Sequence, residues 1–236
     1  MYKRVLLKLS GEALAGEGGF GVNEDILFNY AEEVKNLVNT GIEVCMVIGA
    51  GNLFRGTKNA THGMDRTVAD SIGMLATVMN ALTFAEALKS VGCGAVVMSA
   101  WTMPAVCEQF HKASAEKYLK EGKVVIFSAG TGNPFCTTDS AGALRAAEME
   151  CDALLKATQV DGVYSADPKK DKTAKKYDVI TFDEVLAKGL KVMDAMAVAI
   201  SKESGIPIVV FAIGQKGILA EIVKGRGSYT IIKGKE

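Results

Sequence analysis

Strand-length apolar runs recur along the chain, separated by longer stretches in which apolar residues return every three or four positions. Lys3 to Leu9, Glu43 to Ile48, Ala95 to Met98, Val124 to Phe127, Ala153 to Lys156 and Ile208 to Phe211 read as strands. Asn23 can cap a helix whose apolar face is Ile26, Leu27, Tyr30, Val34, Leu37 and Val38 and which stops at Gly41. A longer helix is predicted from Asp65 to Ser90, with Ile72, Leu75, Met79 and Leu82 on one side, and further helical patterns cover Cys107 to Glu121, Thr137 to Met149 and Asp194 to Ser204. The alternation predicts an α/β fold, an αβα sandwich with a mainly parallel central sheet covered on both faces. Neither a repeat nor a linker divides the chain, so one domain over residues 1–236 is expected, with at most a soft subdivision near Glu150.

Three strand ends run into polar, glycine-containing loops. The first strand carries Lys8 and breaks at Ser10 and Gly11; the second leads to Gly49, Ala50, Gly51, Asn52, Arg55 and Gly56. The fourth delivers A-G-T-G-N-P-F-C-T-T-D-S, from Ala129 to Ser140. There Gly130 and Gly132 allow close backbone approach to a ligand, Asn133 and the threonines offer hydrogen bonds, and Pro134 stiffens the turn. Thr137 or Thr138 can cap the next helix and leave backbone N–H groups aimed at an anion. Ligands of open α/β sheets gather outside the carboxyl ends of the strands, and Lys8 and Arg55 supply the cations a polyphosphate needs. Helix capping alone would also explain a loop of this composition, but not three of them.

Composition narrows the class. The 236 residues carry 27 basic and 27 acidic side chains and are 49% hydrophobic, enough for a sizeable core and too balanced for a dedicated nucleic-acid or membrane surface. No signal peptide or membrane span is expected, which makes the cytoplasm the default compartment. Cys45, Cys93, Cys107, Cys136 and Cys151 are odd in number and lack C-x-x-C spacing, so neither zinc nor a disulfide is expected. The most polar run, Lys169 to Lys176, reads as a solvated loop.

The common phosphate motifs do not fit. Gly51 to Lys58 has P-loop glycine spacing but ends Thr-Lys instead of Lys-Ser or Lys-Thr. Gly16, Gly18 and Gly21 satisfy G-x-G-x-x-G, yet the acidic residue expected at the end of the next strand is found at its start, as Glu43. H-R-D is absent, and His62 and His111 lie in no hydrolase or metal motif.

Taken together, K-L-S-G at Lys8, G-N-L-F-R-G at Gly51, D-S-I-G-M-L-A-T-V-M-N at Asp70, G-T-G-N-P-F-C-T-T-D at Gly130, K-A-T-Q-V-D-G-V-Y-S-A-D-P at Lys156 and V-M-D at Val192 resemble the bacterial uridylate (UMP) kinase branch of the amino acid kinase family, essentially end to end. The resemblance implies an amino acid kinase-like fold, with a UMP-side lobe over residues 1–150 and an ATP-side lobe over 151–236. It implies reversible transfer of the ATP γ-phosphoryl to UMP in pyrimidine nucleotide synthesis, with Mg2+ carried on the nucleotide phosphates rather than in a protein metal site. Lys8 and Arg55 match cations at the ATP phosphates, with Leu9, Ser10, Gly11 and Gly51 as close contacts. Asp139 matches a residue that orients the cations, and Asp194 a supporting one. Thr158, Tyr164 and Asp167 fall where the family holds adenine and ribose. Asp70 matches the uridine-side carboxylate, and Ala50 with Thr131, Gly132, Asn133, Pro134, Phe135, Cys136, Thr137 and Thr138 the wall around UMP.

The same residues have plainer readings: Lys8 as a snorkelling strand lysine, Asp139 as a helix cap, Tyr164 as a core aromatic, Asp167 as a turn former before Pro168. The chain departs from the family at Ala50, commonly glycine, where a methyl could crowd the UMP phosphate or oppose a left-handed backbone. Family members are typically hexamers, and Met74, Leu75, Met79 and Leu82 could supply subunit contacts or be ordinary core. GTP activation and UTP inhibition are features of the bacterial branch; Lys117, Lys120 and Lys123 do not by themselves make an effector site. A kinase for another small acceptor, a non-catalytic nucleotide sensor and a ligand-free structural oligomer are the alternatives.

Overall fold

The computed structural model describes residues 2–55, 63–214 and 216–235, apart from the side chain of Glu17. Gly56, Lys58 and His62 lie outside the described residues. The strands are β1 (Arg4–Leu9), β2 (Glu43–Ile48), β3 (Ala95–Ser99), β4 (Glu108–Gln109), β5 (Val124–Ser128), β6 (Ala153–Thr158), β7 (Val163–Tyr164), β8 (Lys176–Tyr177), β9 (Val179–Thr181), β10 (Ile208–Ala212) and β11 (Tyr229–Lys233). The helices are α1 (Glu12–Ala15), α2 (Glu24–Val38), α3 (Arg66–Ser90), α4 (Lys112–Lys120), α5 (Thr138–Glu148), α6 (Phe182–Ala187), α7 (Ala195–Ser204) and α8 (Ile218–Val223). Nine strands form one sheet in the order β4-β3-β5-β2-β1-β6-β10-β11-β9, and β7 pairs with β8 separately. Within the large sheet β10 and β11 run antiparallel and the other described pairs are parallel.

Period-two alternation sorts the central strands onto two cores. Val5, Leu7 and Leu9 of β1 pack with Val34 and Leu37 of α2, Phe84 and Leu88 of α3 and Leu219 of α8. Leu6 faces the other way, with Ala143 and Ala146 of α5, Leu119 of α4, Val185 of α6 and Val198 of α7. Because both faces are covered, the strands are apolar throughout, and the sandwich of the sequence reading is present. Lys8 shares the parity of Leu6, so it emerges on the α5 side of the sheet.

Side-chain caps place the helix starts. Asn23 accepts from the Ile26 N–H at 3.1 Å, Asp65 from Thr67 N–H at 2.9 Å and Asp194 from Ala197 N–H at 2.9 Å. Thr137 and Ser140 form a capping box at α5. Helix α3 is long and apolar enough to cross a bilayer, but half of its most apolar window is buried inside the fold. Its other side leaves Val68, Leu75 and Met79 exposed, whereas Met74 is buried beside Val78 and Ala129.

Two sequence boundaries move. The helix expected from Cys107 begins at Lys112, because Glu108 and Gln109 pair with Met98 and Ser99 as an edge strand. The polar run from Lys169 opens with turns built on Asp167 and Asp171, but its last residue, Lys176, belongs to β8 opposite Tyr164.

Candidate active site

Lys8 and Lys156 are register partners on neighbouring parallel strands, so their side chains leave the sheet side by side. The first turn of α5 sets Asp139 between them: Lys8 Nζ lies 2.9 Å from Oδ1 and Lys156 Nζ 2.6 Å from Oδ2. All three side chains are 15% exposed or less, so the ion pairs act where water screens them little. Burial pushes the Asp139 carboxyl up, but Lys8 and Lys156 together outweigh it and hold the group below its ordinary value. Burial lowers Lys156, with Lys8 adding to the effect and Asp139 opposing it, so the ammonium loses its proton more readily than an ordinary lysine. The cluster carries one net positive charge.

Beside the cluster, the loops after β1 and β2 interlock. Gly49 N–H donates to Leu9 O at 2.9 Å, and Ala13 N–H to Ser10 O at 3.1 Å. A Cβ on Gly11 would lie 2.3 Å from Asn52 Oδ1, 2.6 Å from Gly49 O and 2.8 Å from Gly51 N, so only glycine permits this approach. Asn52 and Asn80 are buried, and Asn80 Nδ2 also donates to Gly49 O at 2.7 Å. Arg55 Nε donates to Gly51 O at 2.9 Å while its Nη2 pairs with Glu12 at 2.9 Å, which ties the end of this loop to α1.

Two cavities lie near the cluster, one lined by Lys156 and one by Thr138, the neighbour of Asp139. One, of about 340 Å³, is walled by Ala50, Gly51, Asp70 and Arg66 on one side and by Thr131, Asn133, Cys136, Thr137 and Thr138 on the other. Asp70 accepts from Arg66 Nε at 2.9 Å and from the backbone N–H of Phe135 at 2.8 Å, joining α3 to the loop after β5. Arg66 also sits over the Phe135 ring, 5.3 Å from its centroid. Gly132 accepts from Trp101 Nε1 at 2.9 Å; Gly132, Pro134 and Phe135 shape the loop outside the cavity wall. Ala50 is buried with ordinary backbone: among the described non-glycine residues, positive φ occurs at Ala129, Phe135 and Glu150. The left-handed strain anticipated at Ala50 is therefore absent.

The other cavity, of about 570 Å³, is walled by Lys156, Thr158, Tyr164, Asp167 and the 188–192 segment. Tyr164 donates its hydroxyl to Asp161 Oδ1 at 2.6 Å, and Ser228 donates to Asp161 Oδ2 at 2.6 Å. These two hydrogen bonds, with a smaller contribution from Lys176, hold Asp161 down at about 2. Asp167 accepts from Lys169 N–H at 3.0 Å, so it both forms the turn and lines the cavity.

Asp194 touches hydroxyls: its Oδ2 accepts from Ser140 at 3.0 Å and from Thr137, locking the start of α7 to the start of α5. Its contacts thus reach the helix that carries Asp139, and its charge directly favours the Lys156 ammonium. The sequence reading did not select Lys156, Arg66, Asn80 or Asp161. Lys156 and Asp161 fall inside the last long motif and Asn80 inside the Asp70 motif, but only register and packing reveal what they touch.

The model of the amino acid kinase family matches residues 3–212. The uridylate kinase of Paramagnetospirillum magneticum is 57% identical over 231 residues, covering 98% of this chain and 96% of that relative. That of Agrobacterium fabrum is 53% identical over 235 residues, covering 100% and 98%. The crystal structure of UMP kinase from Bacillus anthracis superposes with a TM-score of 0.96 at 40% identity, covering 100% of this chain and 97% of that one. A family model spanning most of the chain, and relatives this similar over its whole length, place it in one lineage: the chain belongs to the amino acid kinase family.

Proposed function

We propose that the chain catalyses reversible transfer of the γ-phosphoryl of ATP to UMP, giving UDP and ADP, as a step of pyrimidine nucleotide synthesis in the cytoplasm. The observation that carries this reading is the buried Lys8–Asp139–Lys156 cluster, whose Lys156 lines one cavity while Thr138, next to Asp139, lines a second. Phosphoryl transfer needs positioning and charge neutralisation more than covalent chemistry, and a cationic centre with two cavities near it supplies both. The larger cavity, with Thr158, Tyr164 and Asp167, takes the adenosine of ATP; because the Tyr164 hydroxyl is committed to Asp161, its ring is what remains to contact the nucleoside. The smaller cavity takes UMP, with Asp70 toward the nucleoside and Thr131 to Thr138 as its wall. Lys8 and Arg55 meet the phosphates, and Leu9, Ser10, Gly11 and Gly51 bring backbone close to them.

Among the described residues no three His, Cys, Asp or Glu side chains gather where they could hold a metal ion. Mg2+ belongs to this reading as an ion carried by the nucleotide's own phosphates, where it would neutralise phosphate charge. The exposed stripe Val68, Leu75 and Met79 suits assembly into a homo-oligomer, a hexamer by family resemblance. Activation by GTP and inhibition by UTP belong to the same reading; Lys123 is occupied by Glu121 at 2.8 Å and by the Tyr118 ring, and Lys117 lies 4.0 Å from Glu121.

The test is ADP release by purified protein with Mg-ATP, offered UMP, CMP, dUMP and AMP separately, with Lys8→Ala as control. Turnover with UMP that is lost in the control is the expected result. Nucleotide binding without turnover on any acceptor would instead favour a sensor.

A further inference from the structure

We propose that a third cavity, between α2 and the segment after β10, binds an uncharged, amino-bearing aromatic heterocycle, the chemistry of adenine or cytosine and their nucleosides, and that its occupancy tightens the hold on ATP. The cavity has a volume of about 580 Å³ and shares no lining residue with the two described above. Ile26, Tyr30, Glu33 and Asn36 recur at three- and four-residue spacing and form one stripe of α2 along its wall. Ile26, the half-buried Tyr30 ring and Ile213 make the apolar part of the lining. Glu33 is buried in that stripe; its Oε1 accepts from Gly217 N–H at 2.6 Å, and its Oε2 accepts no hydrogen bond from the described residues. The Tyr30 hydroxyl and the side-chain amides of Asn29 and Asn36 are likewise without a hydrogen-bond partner among the described residues.

The lining selects against phosphate. Glu32 and Glu33 oppose its one cation, Lys216, so a phosphate chain finds no cationic cradle here. An aminated base fits instead: its flat face packs on Tyr30, its amino group donates to the spare oxygen of Glu33, and its ring nitrogen accepts from an asparagine amide, the pairings by which these side chains recognise cytosine and adenine. Uracil presents a carbonyl where the carboxylate demands a donor. The cavity is linked to the larger one through backbone. Ile213 N–H donates to Thr158 O at 3.0 Å, extending the parallel ladder of β10 and β6 by one residue, and Thr158 walls the ATP side. Gly217, a few residues further on, is the residue that Glu33 holds. A base gripped between Glu33 and Ile213 therefore fixes this segment against Thr158. The site stands on its own geometry, and its coupling to ATP rests on the kinase reading above.

The experiment is calorimetric titration of cytidine, adenosine and uridine into the full chain already saturated with UMP and a non-hydrolysable ATP analogue, so that neither substrate site is open to the nucleoside. Cytidine or adenosine is expected to bind at one site per chain, with uridine at least about tenfold weaker because the buried carboxylate is left unpaired. Tyr30→Leu is expected to weaken the aminated nucleoside by at least about tenfold, through lost stacking, and Asn36→Ala by at least about threefold. Both variants should keep kcat with Mg-ATP and UMP within about threefold of wild type. Titrated with and without the bound nucleoside, the ATP analogue should bind at least about threefold tighter with it, and should tighten the nucleoside by the same factor. Absence of binding by both aminated nucleosides overturns the site, as does binding that uridine equals or that the two substitutions leave unchanged. An analogue affinity indifferent to the nucleoside overturns the coupling. Should Tyr30→Leu fail to fold by circular dichroism, the exposed Asn36→Ala decides. Turnover of Mg-ATP and UMP without a third site would sink this inference and spare the kinase reading. A protein that binds neither substrate would sink the kinase reading alone, and the nucleosides would then be titrated into the free chain and the same two variants.

Discussion

Asn52 and Asn80 exchange amide hydrogen bonds across a buried gap, Nδ2 to Oδ1 at 3.2 Å in one direction and 2.8 Å in the other. The pair fastens the loop after β2 to the middle of α3, and Asn80 extends the grip to Gly49 O. Replacing Asn80 with Ala leaves buried donors and acceptors unmet, which costs about 1–3 kcal/mol. We expect a lower midpoint in urea unfolding, and a larger loss in kcat/KM than Leu75→Ala on the exposed side of the same helix. Equal kinetic losses would mean that the asparagine pair does not set the loop.

Asp161 gives a prediction for acid. Its carboxyl is held at about 2 by Ser228 and Tyr164, below the ordinary aspartate value of 3.8. A depressed folded-state value means that its contribution to stability is complete above 3.8 and is lost as pH falls toward 2. Melting temperatures measured from pH 6 down to the onset of acid unfolding should show a gap between wild type and Asp161→Asn that narrows once pH drops below about 4. A gap constant with pH would assign the effect to something other than the charge.

At Ala50 the expectation is a small effect. Its backbone is not left-handed, so glycine relieves no strain and instead loosens the unfolded chain, costing about 0.4–1 kcal/mol of stability. The KM for UMP in Ala50→Gly should move by less than about threefold, within the range of a minor packing change. A tenfold or greater improvement in UMP affinity, about 1.4 kcal/mol, would show that the methyl crowds the phosphate after all.

The exposed side of α3 predicts a change in assembly. Leu75 and Met79 are 43% and 59% exposed, one helical turn apart, with Val68 two turns before Leu75. The Leu75→Glu/Met79→Glu protein should run as a smaller species than wild type in size exclusion with light scattering, with unchanged circular dichroism. An unchanged mass would place any subunit contact elsewhere.

Most of the sheet was legible because its strands are buried on both faces and read as plain apolar runs, and Asn23 and Thr137 announced their helices by capping chemistry. The short elements were not. Helices α6 and α8 have six residues each, too few for a 3.6-residue period to stand out, and β11 is a five-residue strand that returns antiparallel beside β10. At the site, glycine, aspartate and threonine in the loops were conspicuous, while Lys156 sat inside an apolar strand. Its meaning depends on facing Lys8 across a ladder, a relation between residues 148 positions apart that no local pattern carries.

The two cavities share no lining residue. Under the proposed kinase reading each nucleotide has its own door, so neither blocks the other's arrival or departure and no phosphorylated enzyme is needed to ferry the group between visits. The double-reciprocal plots for ATP at several UMP concentrations should therefore intersect, the signature of a ternary complex, instead of running parallel.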